Sequence, residues 1–182
     1  MLVTAGGGGD GYFMMRAYLR GLCSGAPNDF YSVIVTGPLM PRDESEALHA
    51  AAAGRQDVQI VSYTTELMPS IQAAEVVVAM AGYNTSVELL AARKKAILVP
   101  RSAPRQEQKL RATLLATLGL FDSLESDDTL AAALERRVPR ALAAPLPREH
   151  SWAAVDLRGA ERVAAELARG AARREERIQG VA

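Results

Sequence analysis

Two stretches of the sequence carry residue types and spacings that can hold a ligand. The first is Gly6-Gly7-Gly8-Gly9-Asp10-Gly11, which follows the short apolar run Leu2 to Ala5. Gly6, Gly8 and Gly11 satisfy G-x-G-x-x-G, a spacing that lets backbone N–H groups at a helix start approach a phosphate. A nicotinamide-dinucleotide site also needs an acid at the end of the second strand for the ribose hydroxyls. Here that strand ends Val35-Thr36-Gly37, and Asp29 lies before it. The acid is missing, so the run argues only weakly for NAD. A glycine-rich turn that merely lets the first helix pack tightly on the sheet accounts for the same residues.

The second stretch runs Met80-Ala81-Gly82-Tyr83-Asn84-Thr85-Ser86-Val87-Glu88-Leu89. It continues through Ile97-Leu98-Val99-Pro100 to Glu107-Gln108 and Arg111-Ala112. Gly82 stands where a strand turns into a helix, and Asn84, Thr85 and Ser86 are cap-type residues. Free N–H groups of a helix start, at the carboxyl edge of a parallel sheet, make an anion site. Glu88 lies about one turn further on. An ionised carboxylate there can accept from two neighbouring ribose hydroxyls, although helical periodicity alone allows a plain solvent-facing residue. Gln108 can both donate to and accept from a sugar hydroxyl. Together these parts suit a ligand made of ribose, diphosphate and a second sugar.

Other chemistry is thin. His49 lies in an acidic, Ala-rich helix and reads as a surface residue, and His150 sits in a connector. Cys23 has no histidine near it in sequence and reads as a packed thiol. Arg101 and Arg105 lie in a polar loop, where arginine is usually solvated, although a phosphate would be within their reach. The single cysteine rules out a disulfide framework and a Cys-rich zinc site. Lys plus Arg equals Asp plus Glu at 21 each, which removes the electrostatic case for a general nucleic-acid binder. No apolar run is long enough to span a bilayer. The start of the chain has neither the basic region nor the long apolar stretch of a signal peptide, so a cytoplasmic setting is expected.

The elements that must position these residues alternate. Strands are expected at Leu2 to Ala5, Tyr31 to Thr36, Val58 to Val61, Val76 to Met80 and Ala96 to Val99, with a short sixth at Phe121 to Leu124. Their continuous apolar runs suit parallel strands covered on both faces. Helices are expected between them: one carrying Met14, Tyr18 and Leu22, then Arg42 to Ala53 stopped by Gly54, Glu66 to Ala74, and Thr85 to Arg93 with Val87, Leu90 and Ala91 on one face. A further helix aligns Leu110, Leu114 and Leu118, and Thr129 to Arg137 follows Asp127 and Asp128 as its cap region. Gly25 to Asp29 reads as a turn, Pro139 to Pro147 as a connector, and Gly159 to Ile178 as a long amphipathic helix that Trp152 pins to the domain. The series implies a doubly wound α/β fold, Rossmann-like, with a parallel sheet of about six strands and helices on both faces. The domain is expected over 1–150 with a helical extension over 151–182.

The segment from Val76 to Ala112 resembles the donor-binding half of the two-domain GT-B glycosyltransferases, family 28 in particular. That family carries a small-Gly-x-x-Thr-x-x-Glu stretch, a strand ending in Pro, and a Gln-rich turn before an Asn-Ala pair. The counterparts here are Ala81 to Glu88, Val99-Pro100, and Glu107-Gln108 before Arg111-Ala112; the glycine loop also matches, and the likeness reaches to about Phe121. Two positions depart from the pattern: Glu107 replaces the first Gln and Arg111 replaces the Asn.

The resemblance implies that Glu88 holds the ribose diol and that Gly82, Asn84 and Thr85 bind the diphosphate. It implies that Gly8 and Gly9 admit the phosphates and the acceptor side, that the Thr64 main chain, in the stretch Val61-Ser62-Tyr63-Thr64, meets the base, and that Glu107 and Gln108 orient the transferred sugar. The implied activity is an inverting hexosyl transfer from a nucleotide-diphospho-sugar, UDP-linked in the first instance, with no metal (no D-x-D motif occurs) and no cofactor. It also implies a partner. The acceptor and the general base belong to an N-terminal domain, so this chain reads as a fragment or as the donor subunit of a split transferase, with any membrane association peripheral and through that partner. A non-catalytic donor-binding subunit and, more remotely, an NAD-type domain are the alternatives.

Overall fold

The computed structural model describes residues 1–23, 28–101, 103 and 106–179, with backbone alone over 171–179. Gly25, Ala26 and Pro27 of the expected turn, and Arg105, lie outside the described residues. The chain divides into two compact units, Met1–Trp152 and Ala153–Ala182.

The first unit alternates strands and helices: β1 (Leu2–Thr4), α1 (Tyr12–Leu22), β2 (Ser32–Val35), α2 (Arg42–Ala51), β3 (Val58–Val61), α3 (Leu67–Ala73) and β4 (Val76–Ala79). It continues with α4 (Tyr83–Ala91), β5 (Lys95–Leu98), α5 (Glu107–Thr117), β6 (Asp122–Ser123), α6 (Leu130–Ala143) and the short α7 (Glu149–Ala153). The six strands form one sheet in the order β3-β2-β1-β4-β5-β6. Every pairing is parallel. This is the doubly wound Rossmann order, and it reverses direction between β1 and β4. Short parallel strands need helical crossovers, and the helices in turn bury both faces of the central strands. All four residues of β4 are buried accordingly.

Helix α1 buries Met14, Met15, Tyr18, Leu19 and Leu22. Each fully buried side chain of this size contributes about 1.5–3 kcal/mol. The Tyr18 hydroxyl shares a 2.8 Å hydrogen bond with Ser32 Oγ, which satisfies both buried groups. α1 packs directly on α6: a Cβ on Gly21 would lie 2.2 Å from the Ala131 carbonyl oxygen. Only glycine permits that approach.

Four expectations change. Helix α4 begins at Tyr83, two residues early, because Gly82 in extended backbone already serves as its N-cap. Its buried face is Thr85, Ser86, Leu89 and Leu90, whereas Ala91 is exposed and Val87 only half-buried. The aligned leucines of α5 do not face the core: Leu110 and Leu114 are more than half exposed, and Gln108, Ala112 and Leu115 are buried instead. Helix α6 runs through Pro139 to Ala143, so the expected connector begins later. Burial of Val138 and Ala141 outweighs the missing proline N–H bond.

Trp152 belongs to the first unit, with its ring edge-on to Phe121 at 6.1 Å and its Nε1–H donating to the Pro147 carbonyl. The second unit contains α8 (Gly159–Gln179), on which Val163 and Leu167 are exposed one turn apart. No described helix is long and apolar enough to cross a membrane.

Candidate functional site

In open parallel sheets, ligands sit at the carboxyl edge where strand order reverses, because neighbouring crossovers there go to opposite faces and leave a crevice. In this chain the crevice lies between β1 and β4. The loop leaving β1 is the glycine run, and the turn leaving β4 is Met80-Ala81-Gly82.

The glycine run adopts its shape under tight constraint. Gly8 has φ +89°, and a Cβ there would lie 2.1 Å from the Thr36 carbonyl oxygen. The loop is anchored to the turn after β2, since Leu39 N–H donates to the Gly7 carbonyl at 2.8 Å. At its other end a Cβ on Gly11 would strike the Ala5 side chain at 2.1 Å, so α1 could not start where it does. The packing role read from sequence is therefore real, and it leaves the exposed Gly9 at the open edge. The loop also adjoins α4, because a Cβ on Gly6 would come within 3.4 Å of Thr85 Oγ1.

Helix α4 presents its N-terminus to this crevice without a side-chain cap. Asn84 is exposed in its first turn, while Thr85 and Ser86 are buried. Two buried polar atoms on α4, Ser86 Oγ and Glu88 Oε2, have no hydrogen-bond partner among the described residues. An unpaired buried polar group costs about 1–3 kcal/mol. A fold retains such a cost readily where a ligand supplies the missing partner.

The loop after β5 closes the other side. Arg101 Nη1 is hydrogen-bonded to Asp10 of the glycine run, and its Nη2 lies 3.5 Å from Glu107 at the start of α5. Gln108 is buried, and its Oε1 accepts from Arg101 N–H at 3.2 Å. Arg111 donates to the Ala81 carbonyl and stacks over Tyr83, with its Cζ 5.7 Å from the ring centroid. The loops after β1, β4 and β5 are thus tied into one rim. Gly8, Gly9, Gly82, Asn84, Thr85, Glu107 and Gln108 lie on these loops or at the helix starts that follow them, and Glu88 lies one turn further along α4. Thr64 stands apart on the loop after β3, where its Oγ1 accepts from Glu66 N–H.

Sequence reasoning undervalued Asp10, Arg101 and Arg111. Their signal was opposite charge on loops that leave strands at the same sheet edge, and it becomes usable only once strand order is known. At the end of β2, where a dinucleotide site needs an acid, Thr36 donates its hydroxyl to the Ser62 carbonyl. Burial pushes the Cys23 thiol above its ordinary value, which suits a packed, unreactive side chain. Among the described residues no group of three or more His, Cys, Asp or Glu side chains is placed to hold a metal ion.

Known proteins resemble this chain in sequence and in fold. A UDP-N-acetylglucosamine--N-acetylmuramyl-(pentapeptide) pyrophosphoryl-undecaprenol N-acetylglucosamine transferase from Alkaliphilus oremlandii is 22% identical over 139 residues, covering 76% of this chain and 38% of that protein. The crystal structure of Acinetobacter baumannii MurG superposes with a TM-score of 0.63 at 18% identity, covering 78% of this chain and 44% of that one. The glycosyltransferase VinC, solved in complex with dTDP, superposes with a TM-score of 0.60 at 16% identity, covering 84% of this chain and 34% of that one. This chain therefore spans less than half the length of these relatives. The model of the glycosyltransferase family 28 C-terminal domain matches residues 22–166. With most of its length matched by that model, the chain belongs to the glycosyltransferase family 28 C-terminal domain family.

Proposed function

We propose that this domain binds the nucleotide-diphospho-sugar donor, a UDP-sugar, of an inverting and metal-independent hexosyltransferase. The observation that carries the reading is Glu88: a half-buried carboxylate with an unpartnered Oε2, on the helix whose uncapped N-terminus opens at the strand-order reversal. Glu88 accepts from the ribose hydroxyls. Gly82, Asn84 and Thr85 supply the N–H groups for the diphosphate, and Gly8 and Gly9 let it approach. The Thr64 main chain meets the base, and Glu107 and Gln108 face the transferred sugar.

The chemistry follows from that placement. As the acceptor oxygen bonds to the sugar C1 from the opposite face, the C1–oxygen bond to the diphosphate breaks and its electron pair leaves with the diphosphate. The helix N-terminus stabilises that charge, a role metals play elsewhere. The acceptor proton goes to a base on an acceptor-binding domain or separate subunit, which this reading requires as a partner. The relatives are more than twice as long as the matched region, which supports that requirement.

The test is calorimetric titration of the chain with UDP, dTDP, GDP and their sugars. One nucleoside diphosphate should bind. Glu88→Ala should weaken it by about 1.5–3 kcal/mol, as expected for hydrogen bonds to a charged group. Equal affinity in the variant would remove the ribose assignment.

A further inference from the structure

Arg101 and Arg111, both at the carboxyl edge, differ in their charge balance. Arg101 is neutralised within the protein, by Asp10 on one side and Glu107 on the other. Arg111 has no carboxylate partner among the described residues. One of its N–H groups is used on the Ala81 carbonyl, and its plane rests against Tyr83. Those two contacts fix the guanidinium beside residues 81–83, the point at which α4 begins. Guanidinium carries five donors in a rigid fork that matches phosphate oxygens two at a time. Most of that fork is uncommitted, and the group is already ordered, so little rotamer freedom is left to lose on binding.

Two sources of positive potential therefore converge from different elements. One is the uncapped N-terminus of α4. The other is a cation delivered from α5, held in place by an aromatic ring and a carbonyl. Ser86, 1% exposed and with an unpartnered Oγ, lies in the same turn. We propose that Arg111 is a phosphate-binding residue, gripping the diphosphate of the donor and taking up the charge that develops on it as the sugar departs. This rests on the donor-site reading above and adds to it a residue outside the helix that begins there. A diphosphate suits the position better than a charged sugar does, because the contacts to Ala81 and Tyr83 hold the guanidinium back at the helix start, while Glu107 opens α5 one turn earlier.

The test compares UDP, UMP and uridine binding to the chain, by calorimetry at low and moderate salt, in the wild type, Arg111→Gln and Arg111→Lys. Arg111→Gln should weaken UDP binding at least tenfold, flatten its salt dependence and leave uridine affinity unchanged. Arg111→Lys should recover part of the UDP affinity, since it keeps the charge and loses the fork. Unchanged UDP affinity in Arg111→Gln overturns the proposal. Equal loss of UDP and uridine binding also overturns it, because Arg111 would then only prop α5 against β4. If Arg111→Gln fails to fold, the UDP-against-uridine ratio in Arg111→Lys decides in the same way. A wild-type chain that binds no nucleoside diphosphate overturns the donor reading itself, and that outcome is distinct from the others.

Discussion

The two edges of the sheet treat polar groups in opposite ways. At the amino edge they close on one another. Asp57 accepts from Arg55 through both carboxylate oxygens and from Asn28 N–H at 2.8 Å, while Arg55 also donates to the Cys23 carbonyl. Lys95 Nζ donates to the Leu142 and Ala144 carbonyls at the end of α6, and Lys94 Nζ to the Gln72 carbonyl near the end of α3. Helix C-termini arrive at this edge, and cations satisfy their free carbonyls. At the carboxyl edge, helices begin, and none of α1 to α6 has a side-chain hydrogen bond from its N-cap residue. Among the described residues, the buried side-chain polar atoms without partners, Ser86 Oγ, Glu88 Oε2 and Arg101 Nε, all belong to elements on that side. A parallel sheet segregates helix ends by direction, so one edge can be closed for stability while the other stays open for an anionic ligand.

The largest effect should come from breaking the closed edge. Arg55 and Asp57 are each about nine-tenths buried, and truncating Asp57 removes the carboxylate that faces the guanidinium. Asp57→Ala should cost about 3–5 kcal/mol in urea unfolding. Nucleotide affinity in the protein that remains folded should not change; a parallel loss of binding would show that the edges are not independent.

Acid provides a milder form of the same test. The Arg55 hydrogen bond holds the Asp57 carboxyl down to about 2, below its ordinary 3.8. A lowered carboxylate contributes stability that is fully present above the unfolded value and disappears as pH falls through the folded one. Stability should therefore decline between about pH 4 and pH 2, and that part of the decline should be missing in Asp57→Asn.

The open edge should respond in function before stability. Gly8→Ala forces a side chain against the Thr36 carbonyl in left-handed backbone. It should cost about 1–3 kcal/mol of stability and also weaken nucleotide binding, which unfolding and titration on one variant would check. The smallest stability effect should be that of Glu88→Ala, within about 0.5 kcal/mol or slightly favourable, because it removes a buried oxygen that has no partner. A large stability loss there would mean that Glu88 serves the fold, and the contrast between the edges would fail.

Much of the architecture was legible in the chain. Continuous apolar runs such as Val76 to Met80 suit covered parallel strands, and glycines at 6, 8 and 11 mark a tight turn before a helix. The outer face of α5 was misread. Leu110, Leu114 and Leu118 share helical spacing, yet the residues of α5 that pack inward are Gln108, Ala112 and Leu115. Periodicity identifies a stripe; it does not say whether the sheet or solvent lies beneath it. Pro139 opens the expected connector, yet α6 runs through it to Ala143, and the packing of α6 on α1 prevails.

The candidate site divides along the same line. The sequence determined its parts, because local chemistry sets them: a glycine loop that can approach a phosphate, a helix start with cap-type residues, and a glutamate one turn beyond. Which parts share a crevice was decided only by the tertiary structure. The reversal of strand order between β1 and β4 places loops nearly eighty residues apart on one rim. The ties of Arg101 to Asp10 and of Arg111 to Ala81 depend on contacts with sequence separations of 91 and 30. Such pairings are invisible to any local pattern, because the chain in between, folded into strands and helices, brings them together.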